Sequence, residues 1–169
     1  VSKYTLSVLP LFVLMGNLAN RANLSRNLYD AAYAVVGHYK GGLAMSTVGA
    51  CAGFGMICGS SIATAATMSQ MAGPEMKRHG YSDALISGSV ASGGTLGIII
   101  PPSVILIIYA YLTEQSIQQL FFAALIPGLI AVVLYMIAIR VYLLIYPDQG
   151  GHGEKMTTKD RISALTKVF

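Results

Sequence analysis

The sequence predicts an all-α membrane fold in which transmembrane helices are combined with a re-entrant helical hairpin and one discontinuous, broken helix. Three observations carry this. Of the 169 residues, 54% are hydrophobic and 11% charged, whereas a water-soluble domain carries roughly 25% charge. The apolar residues fall in long blocks. The block from Phe121 to Tyr146, about 25 residues with no charge before Arg140, is long enough to cross ~30 Å of hydrocarbon. Finally, Gly, Ser and Pro interrupt the apolar run twice without bringing in a charge, at Gly59-Ser60-Ser61 and between Gly93 and Ser103.

Residues 1–22 read as the end of a transmembrane helix. Thr5 to Leu18 is apolar around Pro10 and closes on the polar run Asn17 to Asn23. Residues 23–41 read as an amphipathic surface helix. From Ser25, a suitable N-cap, Leu28, Ala31, Ala32, Val35 and Val36 recur at helical spacing, with Arg26, Asn27, Asp30 and His38 around the turn.

Residues 42–80 read as a re-entrant hairpin and its cytoplasmic turn. Leu43 to Cys58 is about 16 residues, short for a full crossing. A second arm, Ile62 to Ala72, leads to the hydrophilic turn Gly73 to Gly80. Residues 81–115 read as a broken transmembrane helix. Ser82 to Leu112 is about 31 residues, too long for one straight span, and Gly93-Gly94-Thr95-Leu96-Gly97 followed by Pro101-Pro102 predicts an unwound centre. Residues 116–146 return across the bilayer. Residues 147–169 read as a cytoplasmic linker and the start of an amphipathic helix, with Thr157 and Asp160 able to form a capping box.

Basic residues set the orientation, because Lys and Arg are retained on the cytoplasmic side. Arg21, Arg26 and Lys40 precede the hairpin, and Lys77 and Arg78 follow it. The tail carries Lys155, Lys159, Arg161 and Lys167, while the Thr113 to Ser116 turn has only Glu114. The hairpin is therefore expected to enter from the cytoplasm, and only Lys3 runs against this. The net charge of +4 does not point to nucleic acid, since the basic residues form no stripe interleaved with aromatics. Cys51 and Cys58, seven apart, would lie about 10 Å apart on one helix face, too far for a disulfide, and read as small packing residues. The chain opens at Val1 without Met or a signal-peptide pattern and closes on Phe169 inside a helical pattern, so a longer subunit is expected.

The two breaks carry the chemistry. Backbone that leaves helical geometry inside a bilayer is tolerated only where it is buried in protein or lines a polar cavity. A break exposes a C-terminal end, whose free carbonyls suit a hard cation, opposite an N-terminal end, whose free amides favour an anion. The hydroxyls of Ser60, Ser61, Thr64, Thr95 and Ser103 add neutral ligands, and Pro102 suits the first turn of the second half-helix. Discontinuous helices of this kind are expected in secondary transporters. The structural alternative is close helix packing, the commoner meaning of Gly-x-x-x-Gly pairs such as Gly49/Gly53, Gly55/Gly59 and Gly93/Gly97. Membrane Ser and Thr also commonly bond back to their own helix.

Other motifs fail on context. Gly53-x-Gly55-x-x-x-Gly59 is loosely like a dinucleotide loop, but no strand precedes it. Ser60 or Ser61 with His79 could suggest an intramembrane serine hydrolase, but His79 sits beside Lys77 and Arg78 in a hydrophilic turn. No enzymatic activity is expected.

Four motifs in order, Pro10 to Leu18, Gly59 to Met68, Gly93 to Ser103 and Leu112 to Ser116, resemble the DctM-type large subunit of TRAP (tripartite ATP-independent periplasmic) transporters. The resemblance covers nearly the whole chain. It implies Na⁺-coupled uptake of organic acids such as C4-dicarboxylates or sialic acid across the bacterial inner membrane, by elevator-like movement. It also implies two protein partners, a periplasmic substrate-binding protein and a small membrane subunit, separate or fused. Carried onto this sequence, it places a sodium site at Gly59, Ser60, Gly94, Thr95 and Gly97, and a substrate wall at Ser60, Ser61, Thr64, Pro102 and Ser103. The runner-up is another hairpin-containing sodium/anion symporter that needs no binding protein.

The large subunit has two inverted halves, each with a hairpin and a broken helix, and this sequence carries one set, as a first half would. Alone it is not expected to transport. No basic residue is placed to pair with a substrate carboxylate.

Overall fold

A computed structural model describes residues 10–11, 14–16, 18, 24–37 and 39–151. From residue 24 onward the described residues form, in order, the helices α1 Leu24–Val36, α2 Gly42–Cys58, α3 Ser61–Arg78, α4 Asp83–Ile99, α5 Val104–Leu112 and α6 Ile117–Ile145, with a 3-10 turn at Pro147–Gln149. Of the expected first span, the described positions 10–11, 14–16 and 18 are helical. The Thr157/Asp160 capping box lies outside the described residues.

Helices α2 and α3 form the hairpin, turning at Gly59, whose φ of 62° lies in the left-handed region open to glycine. Ser60 caps α3, its side chain accepting from the Ala63 amide at 3.4 Å. The second arm is longer than the composition predicts. Helix α3 runs through Gly73 and Pro74 to Arg78, and the turn shrinks to a few residues after it. Burial explains the extension: Met76 is fully enclosed, its sulfur reached by the Thr47 hydroxyl at 3.6 Å and the Ser89 hydroxyl at 3.9 Å. Tyr81 closes the same end, its phenolic oxygen accepting from the Leu43 amide at 3.3 Å.

The broken helix also departs from expectation. Gly93 to Gly97 stay helical, and the break is confined to Ile100–Ser103, where the path bends by 42°. The glycine run does not unwind because it is packed between the hairpin arms. The prolines end α4, since they lack the donors that would continue it and Pro102 disfavours helix at the residue before it. The Pro101–Pro102 peptide is cis. Helix α5 begins at Val104 with Ser103 as its N-cap residue, so Pro102 precedes the cap instead of occupying the first turn.

Each Gly-x-x-x-Gly pair has a packing partner. A methyl group at Gly53 would stand 3.3 Å from Leu28, and one at Gly49 3.5 Å from Ala32, so this pair seats the amphipathic α1. A methyl at Gly93 would stand 2.9 Å from the Cys51 sulfur, one at Gly94 2.8 Å from the Ala65 Cβ, and one at Gly55 2.6 Å from the Gly97 Cα. Both cysteines are free and buried, as packing residues. Ser25 falls just inside α1, within the usual uncertainty of a helix end.

Among the described helices α6 is long and apolar enough to cross a membrane, and α4 with α5 makes a second crossing if the bent pair counts as one span. Helix α6 runs unbroken through Pro127, and Gly128 beside it receives Ile100, the first residue of the break. Its exposed faces carry Phe122, Ile126, Leu129, Val133 and Leu144, the surface expected against lipid.

Candidate functional site

Four helix ends meet where the hairpin tip touches the broken helix. The cleft there, about 450 Å³, is lined by Cys58 and Gly59 from the end of α2, Ser60 to Ala63 from the start of α3, Ile98 from the end of α4, and Val104 and Ile105 from the start of α5. Two C-terminal and two N-terminal helix ends thus face one volume. The Val104 amide, first of α5, donates to the Gly59 carbonyl at 3.4 Å and joins tip to break directly.

At the tip, several polar groups are already engaged. The Ser60 carbonyl accepts both the Thr64 amide at 3.0 Å and the Thr64 hydroxyl at 2.8 Å. Thr64 is fully buried beneath the tip, and a methyl at Gly97 would stand 3.0 Å from its hydroxyl and 3.1 Å from the Ser60 carbonyl oxygen. Thr64 and Gly97 therefore set the seating of tip on broken helix. Ser61 opens onto the cleft, and the first amides of α3 have no carbonyl within their own helix to donate to.

On the broken helix, the Leu96 carbonyl accepts the Ile100 amide at 2.9 Å, the last such bond of α4. The next two carbonyls, of Gly97 and Ile98, would take amides at positions 101 and 102. Both are proline and have none to give. The double proline thus leaves two carbonyl oxygens without helical donors. Ser103 is fully buried, makes no cap bond, and its hydroxyl has no hydrogen-bond partner among the described residues. A buried hydroxyl of this kind keeps its lone pairs uncommitted and is a candidate ligand atom.

Of the sequence-predicted residues, Gly59, Ser60 and Ser61 line the cleft, Thr64 and Gly97 pack against each other beneath the tip, and Pro102 and Ser103 lie in the break just before Val104, whose amide reaches Gly59. Gly94 is set back, packed against Ala65 with the Ser61 carbonyl 3.4 Å from where its side chain would be. Thr95 is turned toward α6: its hydroxyl bonds the Ser92 carbonyl at 2.7 Å and meets the Tyr135 hydroxyl at 3.2 Å. The hydrolase pairing does not form. Ser60 and Ser61 lie at one end of α3 and His79 at the other, its ring held by the Glu75 carbonyl at 2.9 Å.

Several lining residues were not singled out from the sequence. Gly16 reaches the cleft from the first helical segment, and a methyl there would stand 3.3 Å from the Cys58 Cα and sulfur. Its place in Pro10 to Leu18, already noted as a motif, was the available signal. Ile62, 82% exposed, and Ile105, 53% exposed, form an apolar wall that composition alone does not distinguish from lipid-facing surface.

Comparison with known proteins gives a consistent result. Residues 1–166 match the family model described as the DctM component of the tripartite ATP-independent periplasmic transporter. The chain is 43% identical over 138 residues to the C4-dicarboxylate TRAP transporter large permease protein DctM of Pseudomonas aeruginosa, covering 82% of this chain and 32% of that protein. It is 33% identical over 141 residues to the ectoine TRAP transporter large permease protein TeaC of Halomonas elongata, covering 83% of this chain and 33% of the other. With the sialic acid TRAP transporter permease protein SiaT of Haemophilus influenzae it shares 32% identity over 130 residues, 77% of this chain and 21% of that protein. The chain therefore spans about a third or less of these relatives.

Proposed function

The chain belongs to the DctM component family of tripartite ATP-independent periplasmic transporters, and on that premise we propose that it forms part of a permease subunit for sodium-coupled uptake of organic acids. The full subunit would sit in a bacterial inner membrane beside its small membrane subunit and receive substrate from a periplasmic binding protein. It is a transporter component and not an enzyme.

The observation that carries the proposal is the meeting of four helix ends in one cleft. Carbonyl-rich ends of α2 and α4 suit Na⁺, and amide-rich ends of α3 and α5 suit a carboxylate, with no fixed charge buried at membrane depth. We assign the cation to the carbonyls of Gly59, Gly97 and Ile98 with the Ser103 hydroxyl, and the anion to Ser60, Ser61 and the amides beside them. Thr64, Gly94 and Pro102 shape this site, and Thr95 fixes α4 against α6. The matched relatives are named for C4-dicarboxylate, ectoine, sialic acid and isethionate, each of which carries an anionic carboxylate or sulfonate group. That group is the chemistry the paired helix N-termini would recognise.

The test is uptake of labelled organic acids into proteoliposomes holding the complete subunit, its small partner and its binding protein, with and without an inward sodium gradient. Uptake that requires both sodium and binding protein is expected. Sodium-driven uptake without the binding protein would instead favour a stand-alone symporter.

A further inference from the structure

A second cleft, of about 620 Å³, lies at the base of the hairpin, the end opposite the tip. Its walls carry Lys40, Arg78 and His79, with Asp148 and the side-chain-free backbone of Gly150 and Gly151 facing them. Arg140 adds a further positive charge nearby, its guanidinium 5.5 Å above the ring of Tyr39, the neighbour of Lys40. Among the described residues Arg78 has a loose surface partner in Glu75, at 3.7 Å, and surface pairs of this kind are worth little.

This cleft sits where the apolar surface of the molecule stops. Leu144 and Ile145, 74% and 65% exposed, are the last apolar residues of α6, and Pro147 and Asp148 follow at once. Tyr39, Tyr142 and Tyr146 ring the same level, the last two with ring centroids 5.2 Å apart. Tyrosines flanking an apolar span mark the headgroup region, and basic pockets beside membrane helices on the side of the basic loops suit anionic headgroups.

We propose that this cleft seats the phosphate headgroup of an anionic phospholipid, held by Lys40 and Arg78, with the acyl chains along the exposed apolar face of α6. Asp148 weakens the site and tunes it against tighter binding. A bound lipid here would tie the base of the hairpin to α6 through the bilayer. This inference rests on the basic cleft and its membrane level, so it stands or falls independently of the sodium site.

The experiment is native mass spectrometry of the complete subunit in detergent, titrated separately with phosphatidylglycerol, phosphatidylcholine and inorganic phosphate. Phosphatidylglycerol should be retained in preference to phosphatidylcholine. Lys40→Gln with Arg78→Gln should weaken it by on the order of tenfold or more, from about 1 kcal/mol per basic side chain near an anionic surface. Arg26→Gln, which removes one positive charge outside the cleft, should leave binding unchanged. Asp148→Asn should tighten it, a gain that misfolding cannot produce. Unchanged phosphatidylglycerol binding in the double variant, equal retention of phosphatidylcholine, or inorganic phosphate competing as well as the lipid would each overturn the assignment.

Discussion

Gly97 of α4 lies so close to Thr64 of α3 that a methyl group on it would stand 3.0 Å from the Thr64 hydroxyl. The hairpin tip can approach the broken helix only because position 97 has no side chain. Gly97→Ala should therefore push the tip away and destabilise the complete subunit by about 1–3 kcal/mol, the usual range for overpacking. Thermal unfolding of the complete subunit measures this. Gly88 in the same helix has nothing within 4 Å of where a methyl group would stand, so Gly88→Ala is the control and should be neutral or slightly stabilising.

Ser103 is expected to separate stability from function. Its buried hydroxyl has no partner among the described residues, and such a group costs about 1–3 kcal/mol in the unliganded protein. In sodium-free buffer, Ser103→Ala should melt no lower than the unaltered subunit. Sodium-driven uptake by the complete transporter should nevertheless fall. A variant that melts lower and transports normally would make Ser103 a packing residue.

Gln149 holds the turn after α6 against the start of α4. Its side-chain carbonyl accepts from the Tyr142 hydroxyl at 2.6 Å and the Ser82 hydroxyl at 2.9 Å, and its backbone carbonyl accepts the Ser82 amide at 3.2 Å. Gln149→Ala removes two of these three bonds, for an expected loss of about 1–3 kcal/mol. Hydrogen exchange should show the α4 N-terminus opening first, while the distant tip at Ser60 keeps its protection.

What the sequence makes legible is set by local chemistry. Gly59-Ser60 announces a helix end followed by a cap, and Pro101-Pro102 announces a break, because each acts through its own backbone. What stays hidden depends on partners distant in the chain. Gly93 to Gly97 remain helical because hairpin residues such as Cys51 and Ala65 pack against them. Helix α3 continues past Pro74 because Met76 is enclosed by Thr47 and Ser89. Thr95 faces Tyr135 on α6, and Gly16 reaches Cys58, contacts that no local pattern encodes. The two prolines leave the Gly97 carbonyl without a helical donor, a local effect, whereas the direction of the Thr95 side chain is set by Ser92 and Tyr135.

The most direct test of the four-ended cleft is equilibrium binding of radiolabelled sodium to the purified complete subunit, unaltered and as Ser103→Ala. Loss of one neutral ligand should weaken saturable sodium binding by about tenfold, equivalent to ~1.4 kcal/mol. Identical sodium affinity in the two proteins would contradict the assignment of the cation to the break at Ile100–Ser103.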